Sequence, residues 1–294
     1  MDPRREAGHG NLVRRVAFAV VAIPLALVIV WYGGVPLVCL LMLAAGLGAR
    51  ELFGLAERRG VKPARVLGIA GAAAVAPLAY ASLTGDERDL VRGLLPYLAA
   101  LWLILVLTWA LATRPPADRP LEAAAVTVLA AAYCGALPAF LLAIRHAEYP
   151  VRSWAGAWLV FYPLVVTWAC DTAAMFAGRA IGGPKLAPTV SPGKTRSGSA
   201  AGLIGGLAVA PLFALIVFPR VGVSAGIVAL IVIAAVLGVV GQVGDLAESL
   251  LKREAGVKDS STLIPGHGGV LDRLDSLYFV VPVAAALYRL FGVI

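Results

Sequence analysis

The chain has 294 residues, of which 60% are hydrophobic and 14% are charged, and its mean hydropathy is +0.88. A soluble domain could not keep this composition in water, so the sequence predicts an integral membrane protein. The formal net charge of +8 does not require nucleic acid as a partner, because Lys and Arg anchor the cytoplasmic edges of membrane proteins near anionic lipid.

Apolar stretches long enough to cross a hydrocarbon core about 30 Å thick recur along almost the whole chain. The sequence therefore predicts an all-α polytopic membrane protein with about nine transmembrane helices, and no soluble domain of useful size fits between them. The predicted spans are residues 16–32, 35–55, 66–83, 94–112, 123–144, 154–176, 200–218, 223–246 and 277–293.

The distribution of Lys and Arg predicts the orientation of these spans. If the N-terminus is cytoplasmic, most of the loop cations fall on the inner side, which is the usual bias of membrane proteins. We therefore expect the two later polar loops, residues 178–199 and 247–276, to face the cytoplasm. The outer segments would hold only Arg88, Arg92, Arg145, Arg152 and Arg220.

The chain divides into two regions that differ in the polarity of their loops. Residues 1–153 hold about five predicted helices joined by short loops without obvious chemistry, and we interpret them as a transmembrane scaffold. Residues 154–294 hold about four predicted helices and both polar loops, so we expect this second region to be catalytic.

The sixth predicted span carries an acid, Asp171, and a basic loop rich in Gly and Pro follows it. An acid at membrane depth is costly unless it pairs, binds a cation or lines a wet cavity, and we favour a cavity reached by substrate. The loop is not a Walker A motif, because Pro188 stands where that motif requires glycine. Binding of lipid headgroups alone stays open as an alternative. The phosphate-binding donors of the loop are Lys185, Ser191, Lys194 and Thr195.

The eighth predicted span ends in a polar stripe. Asp245, Glu248, Ser249 and Lys252 stand at i, i+3, i+4 and i+7, which places them on one face of a helix. Asp245 is a candidate functional residue because an acid at that depth needs a partner. An interfacial ion pair between Glu248 and Lys252 is the simpler alternative.

The following segment, residues 249–276, packs many charges and four glycines between two apolar runs. Asp272 and Asp275 lie at the start of the ninth predicted helix, where capping alone would explain one of them. Together with Asp245 they supply oxygen ligands suited to Mg²⁺, which usually takes one or two carboxylates plus substrate phosphates. We interpret His267 as a substrate contact or a loop organiser, because a zinc site is improbable with so few His and no thiol nearby.

Residues 249–275 resemble the signature of the phosphatidate cytidylyltransferase family, also called CDP-diacylglycerol synthases. This signature runs S-x-x-K-R, then K-D, then H-G-G-x-x-D-R-x-D. Asp245, the stretch DTAAMFAGR that contains Asp171, and SPGKT at 191–195 are similar to the family as well, although the family more often has Tyr where Met175 stands and Glu where Ser197 stands. The matching signature residues are Ser249, Lys252, Arg253, Lys258, Asp259, His267, Gly268, Gly269, Asp272, Arg273 and Asp275.

The resemblance implies transfer of a cytidylyl group from CTP to phosphatidate, which yields CDP-diacylglycerol and pyrophosphate on the cytoplasmic face of a bacterial-type inner membrane. We expect Mg²⁺ at Asp245, Asp272 and Asp275, and the family is also associated with a second cation such as K⁺. Lys252 and Arg273 complete the expected catalytic set with these three acids. The expected substrate-binding residues are Asp171, Lys185, Ser191, Lys194, Thr195, Ser249, Arg253, Lys258, Asp259, His267, Gly268 and Gly269.

Other readings stay open at this point. A lipid or polyprenol kinase would use ATP, and a CDP-alcohol phosphotransferase would need a DGxxAR pattern, which we do not find. A transporter would use Asp171 as its substrate or proton site, but the polar residues cluster at the cytoplasmic edge instead. We expect no nucleic-acid partner, and a homodimer packed through glycine-rich spans stays open.

Overall fold

The computed structural model describes residue 20, residues 23–264 and residues 268–294, and within them the chain is a bundle of long helices. Two short strands form a hairpin in the loop between the sixth and seventh helices. The helices are α1 (Ile23–Tyr32), α2 (Gly34–Arg58), α3 (Arg65–Leu83), α4 (Arg88–Thr113), α5 (Pro120–Arg145), α6 (Trp154–Ala180), α7 (Arg196–Arg220), α8 (Ile227–Glu254), α9 (Leu271–Leu274) and α10 (Leu277–Leu290), and the strands are β1 (Lys185–Ala187) and β2 (Ser191–Thr195).

Seven of the described helices, α2 to α8, are long and apolar enough to cross a membrane. This confirms the predicted all-α polytopic membrane class. The first predicted span is described only in part, as α1, and the last is the 14-residue α10, whose length of about 21 Å is shorter than a hydrocarbon core. The predicted count of nine and the predicted orientation stay predictions.

The hydrophobic core contains side chains from both of the regions predicted from the sequence. One cluster packs Val30 and Leu142 from the first region with Leu159, Leu230 and Tyr288 from the second. A further cluster packs α2 and α5 against the chain around α9 and α10. Because apolar side chains of both regions bury each other, the bundle is stabilised across the predicted boundary.

The junction between α1 and α2 is closed by two neighbouring side chains at the end of α5. The fully buried Arg145 donates through Nε to the Val30 carbonyl at 2.7 Å and through Nη2 to the Trp31 carbonyl at 2.6 Å. His146 Nε2 accepts a hydrogen bond from the Gly34 N–H at 3.0 Å. These contacts satisfy backbone groups that a helix end leaves without partners.

Small residues let α7 approach α6 closely, as the glycine-rich sequence of α7 predicts. A Cβ added at Gly202 would lie 2.9 Å from the Cys170 carbonyl oxygen. One added at Gly205 would lie 2.6 Å from Ala173 Cβ. The close approach brings the start of α7 beside the polar end of α6.

The hairpin extends over this same end of the bundle. β1 and β2 are antiparallel, with Lys185 opposite Thr195 and Ala187 opposite Ser191. Thr195 then ends the hairpin and begins α7, where its Oγ1 accepts a hydrogen bond from the Gly198 N–H at 3.1 Å. The predicted phosphate-binding loop is therefore an ordered hairpin anchored at a helix start.

Candidate active site

A cavity of about 460 Å³ lies where the ends of α6 and α8 meet β2 and the start of α7. Its wall combines carboxylates, cations and small residues, which is the composition needed to hold a charged ligand next to the bundle. The main polar lining residues are Asp171, Arg179, Lys194, Thr195, Ser199, Gln242 and Asp245.

An ion pair joins the hairpin to the polar stripe of α8. Lys194 Nζ lies 2.6 Å from Asp245 Oδ2, and both side chains are about a quarter exposed. Ser249 Oγ donates to the other Asp245 oxygen at 3.3 Å. The structure thus brings together Asp171, Lys194 and Asp245, which the sequence predicted as separate candidates.

Gln242 and Ser199 tie the helices together behind this ion pair. Gln242 Nε2 donates to the Ser199 carbonyl at 3.3 Å, and Ser199 Oγ also contacts Gln242 Oε1. These contacts link α8 to α7 across the cavity wall. Neither residue was predicted from the sequence, because a single Gln in a span is common in bundle packing and Ser199 is one of several Ser and Thr residues in the polar loop.

Lys252 is enclosed by two carboxylates instead of facing the cavity. Its Nζ lies 2.6 Å from Glu248 Oε2 and 2.7 Å from Asp272 Oδ1, and the Glu248 side chain is 1% exposed. The ion pair of Glu248 and Lys252 is therefore present, but it is buried and extended by a third residue. Lys252 has less charge available for phosphate in this arrangement than the sequence prediction assumes.

Asp272 is held by donors on both of its oxygens. Oδ1 accepts from Lys252, and Oδ2 accepts from the Gly269 N–H at 2.8 Å and from both the N–H and the Oγ of Ser260, at 2.8 and 2.7 Å. Burial alone would raise the pKa of the Asp272 carboxyl, but Lys252 and then these N–H and hydroxyl groups outweigh it and lower the pKa below its ordinary value. Asp272 is accordingly a charged clamp between α8 and the loop.

Asp275 is half-buried and is affected by the charge of Asp245. Its Oδ1 accepts a hydrogen bond from the Ser276 N–H at 2.7 Å. Burial, and after it the negative charge of Asp245, raise the pKa of Asp275 to about 6. Asp171 adds to the same effect. Asp171 and Asp245 line the cavity, and Asp275 lies close enough to be affected by both charges without lining it.

These acids can be compared with the needs of a magnesium ion. Asp245 fits, because it faces the cavity with an acid beside it and one close cation. Asp275 is near it, whereas Asp272 is less suited because it does not line the cavity and is surrounded by four donors from Lys252, Ser260 and Gly269. The oxygens of Asp245 have only Lys194 and, at 3.3 Å, the Ser249 hydroxyl as partners among the described residues. Among the described residues no three His, Cys, Asp or Glu side chains could hold a metal ion by themselves. Phosphate oxygens of a substrate would have to complete the coordination.

Several of the other predicted site residues do not line the cavity. Arg253 donates to the Val190 carbonyl at 3.1 Å, which fastens the hairpin to the end of α8. Ser191 and Lys185 lie on the hairpin away from the cavity lining, and His267 lies outside the described residues. Among the predicted site residues outside the cavity lining, four have exposed side chains with no hydrogen bond or ion pair to another described residue: Lys185, Lys258, Asp259 and Arg273.

The two predicted loop glycines allow tight packing around Asp272. Gly268 has φ +82°, and an added Cβ would lie 2.6 Å from Asp272 Oδ2. At Gly269 an added Cβ would collide with Ser260 Oγ and with the Glu51 carboxylate. Only glycine leaves room for these polar contacts.

Glu51 is the main residue that the sequence interpretation missed. It lies on α2, in the region interpreted as scaffold, and its buried carboxylate reaches the loop that carries the signature. The signal was available, because an acid inside a predicted span is a functional candidate by the same argument that selected Asp171.

Comparison with known proteins shows the family to which the chain is related. Residues 13–291 match the cytidylyltransferase family. A phosphatidate cytidylyltransferase of Brucella suis is 36% identical over 289 residues, which is 97% of this chain and 94% of the relative. Proteins of the same name from Haemophilus influenzae and Bacillus subtilis are 43% and 40% identical over 148 and 164 residues, which span only 51% and 58% of those relatives. The chain therefore belongs to the cytidylyltransferase family.

Proposed function

We propose that this multi-pass membrane protein transfers the cytidylyl group of CTP to phosphatidate and releases pyrophosphate. The observation that carries the proposal is the contact of Lys194 with Asp245, which joins the basic hairpin and the acidic helix end in one cavity. The Brucella suis relative, named as a phosphatidate cytidylyltransferase, aligns over 97% of the chain. A kinase or a transporter has no comparable support.

The reaction joins two anions. An oxygen of the phosphatidate phosphate attacks the α-phosphorus of CTP, the bond to the β-phosphate oxygen breaks, and pyrophosphate leaves with the bonding electrons. Lys194 and Arg179, both in the cavity wall, would offset the repulsion between the substrates and neutralise charge on the leaving group. The phosphatidate phosphate is already ionised at neutral pH, so positioning matters more than a general base.

Bound Mg²⁺ would supply positive charge against the nucleotide phosphates. We propose Asp245 as its principal protein ligand, with Asp275 or Asp171 as the second carboxylate. Asp272, predicted in the same role, would instead hold Lys252 and the loop. A second cation such as K⁺ remains an expectation from the family resemblance.

The lipid would enter from the side of the bundle. Met175 lines the cavity, and the neighbouring Phe176 is 64% exposed on the outside of α6, so an apolar surface adjoins the polar site. We place the cavity on the cytoplasmic face of a bacterial inner membrane, because most loop cations lie at that end. A homodimer remains a prediction, which light scattering of the purified protein would test, and no nucleic acid is expected.

The direct test uses purified protein in detergent with phosphatidate, Mg²⁺ and each nucleoside triphosphate in turn. We expect pyrophosphate and CDP-diacylglycerol with CTP, and loss of both on chelation of Mg²⁺. Asp245→Asn should lower kcat/KM by about 100-fold or more, because it removes the proposed metal ligand.

Asp86→Asn is the matched control, since Asp86 is an exposed acid in the loop between α3 and α4. It should leave activity unchanged. Product formation with ATP but not CTP would overturn the proposed function, and full activity of Asp245→Asn would overturn the metal assignment alone.

A further inference from the structure

The Glu51 carboxylate on α2 makes four polar contacts with residues 260–271, the loop that carries part of the family signature. Its Oε1 accepts from Ser261 Oγ at 2.7 Å and from the Val270 N–H at 3.0 Å. Its Oε2 accepts from Ser260 Oγ at 3.0 Å and from the Leu271 N–H at 2.9 Å. All four donors lie more than 200 positions away along the chain, and the Glu51 residue is 6% exposed.

These contacts act on the beginning of α9. Val270 is the N-cap residue of that short helix and Leu271 is its first residue, and their N–H groups have no partner within it. The Glu51 carboxylate therefore caps α9 from another helix, with its negative charge at the helix start. The direction of α9 in turn places Arg273 and Asp275.

Ser260 connects Glu51 to the Lys252 clamp. Its hydroxyl lies 3.0 Å from Glu51 Oε2 and 2.7 Å from Asp272 Oδ2, and its single proton can be donated to one of them at a time. The Ser260 N–H donates to Asp272 Oδ2 at 2.8 Å, so both carboxylates are joined when the hydroxyl donates to Glu51. Asp272 then holds Lys252 at 2.7 Å. A continuous set of hydrogen bonds thus runs from α2 through the loop to α8.

We propose that Glu51 is a positioning residue for cytidylyl transfer, which holds the start of α9 so that Arg273 and Asp275 are placed for the reaction. This inference rests on the proposed function. It assigns α2 to the catalytic unit, although Glu51 itself contacts no substrate. The consequence is that loss of its carboxylate lowers the rate of the chemical step more than it lowers the affinity for either substrate.

The test compares Glu51→Gln with Glu57→Gln. Glu57 lies on the same helix, in an exposed ion pair with Arg65 at 2.6 Å, and makes no hydrogen bond to the described residues of the loop. In Glu51→Gln an amide N–H group faces the backbone N–H donors. We expect kcat, per folded protein, to fall about 10- to 100-fold while KM for CTP and phosphatidate stays within about twofold. Glu57→Gln should match the wild type, and Glu51→Asp should recover part of the rate.

Hydrogen exchange supplies a readout that does not depend on activity. The amides of Val270 and Leu271 should exchange faster in Glu51→Gln, while those of β1 and β2 should not change. If Glu51→Gln does not fold, Ser261→Ala removes one of the four donors and should show the same two effects to a smaller degree. Unchanged exchange and unchanged kcat in whichever variant folds would overturn the proposal. A wild-type protein that makes no CDP-diacylglycerol would count against the proposed function, and the exchange result would still decide the role of Glu51.

Discussion

His146 links stability to pH through a single buried ring. Burial, and after it the positive charge of Arg145, lower the pKa of His146 to about 4. The unfolded value is about 6.5, so the neutral ring stabilises the fold fully above that pH, and this stability is lost as the pH falls toward 4. Between pH 7.5 and pH 5 the wild type should lose about 2 kcal/mol from this group. His146→Gln should remove that part of the pH dependence, as measured by thermal unfolding followed by tryptophan fluorescence.

The contacts of His146 and Arg145 give the reason for this loss of stability at low pH. Gly33, with φ 69°, leaves room for the His146 ring, and Arg145 holds the end of α1. Protonation would take away the acceptor of the Gly34 N–H and set two positive charges side by side. Parallel pH curves for wild type and variant would contradict this account.

The packing of α7 on α6 depends on the small residues where the two helices meet. Gly205→Ala should lower stability by about 1–3 kcal/mol, because its Cβ would meet Ala173 Cβ at 2.6 Å and the Ala169 carbonyl oxygen at 3.0 Å. Moving α7 outward should also widen the cavity and reduce activity. The measurements are the unfolding midpoint in detergent and the initial rate of pyrophosphate release.

Gly226→Ala is the appropriate comparison for this helix pair. No atom lies within 4 Å of a Cβ added at Gly226, which precedes α8. Its unfolding midpoint should stay close to that of the wild type. An equal loss in both variants would mean that the close contact between α6 and α7 at Gly205 is not the cause, because Ala has a higher helix propensity than Gly.

The two regions of the chain should form an active protein only when both are present. The buried clusters and the Glu51 contacts cross from residues 1–153 to residues 154–294. We expect residues 154–294 expressed alone to aggregate in detergent and to lack activity. Co-expressed with residues 1–153, they should co-purify and form CDP-diacylglycerol. An active, monodisperse fragment 154–294 would restore the simpler division into scaffold and catalytic region.

Sequence reasoning succeeded where the signal is local. Long apolar runs predicted the helices, and the spacing of Asp245 and Lys252 predicted a polar face on α8, because both depend on periodicity within one segment. It failed for Glu51, and it left the partners of Lys252 incomplete. Those partners come from segments far apart in the chain, and no pattern within one helix reveals them.

The sequence by itself determined the membrane class, the family and the two polar loops, because hydrophobicity and a dense motif are properties of adjacent residues. Only the tertiary structure decided that Lys194 meets Asp245, that Asp272 clamps Lys252, and that α2 supplies Glu51 to the loop. The physical reason is that a buried charge must find its partners wherever the packing of the helices brings donors within hydrogen-bonding distance.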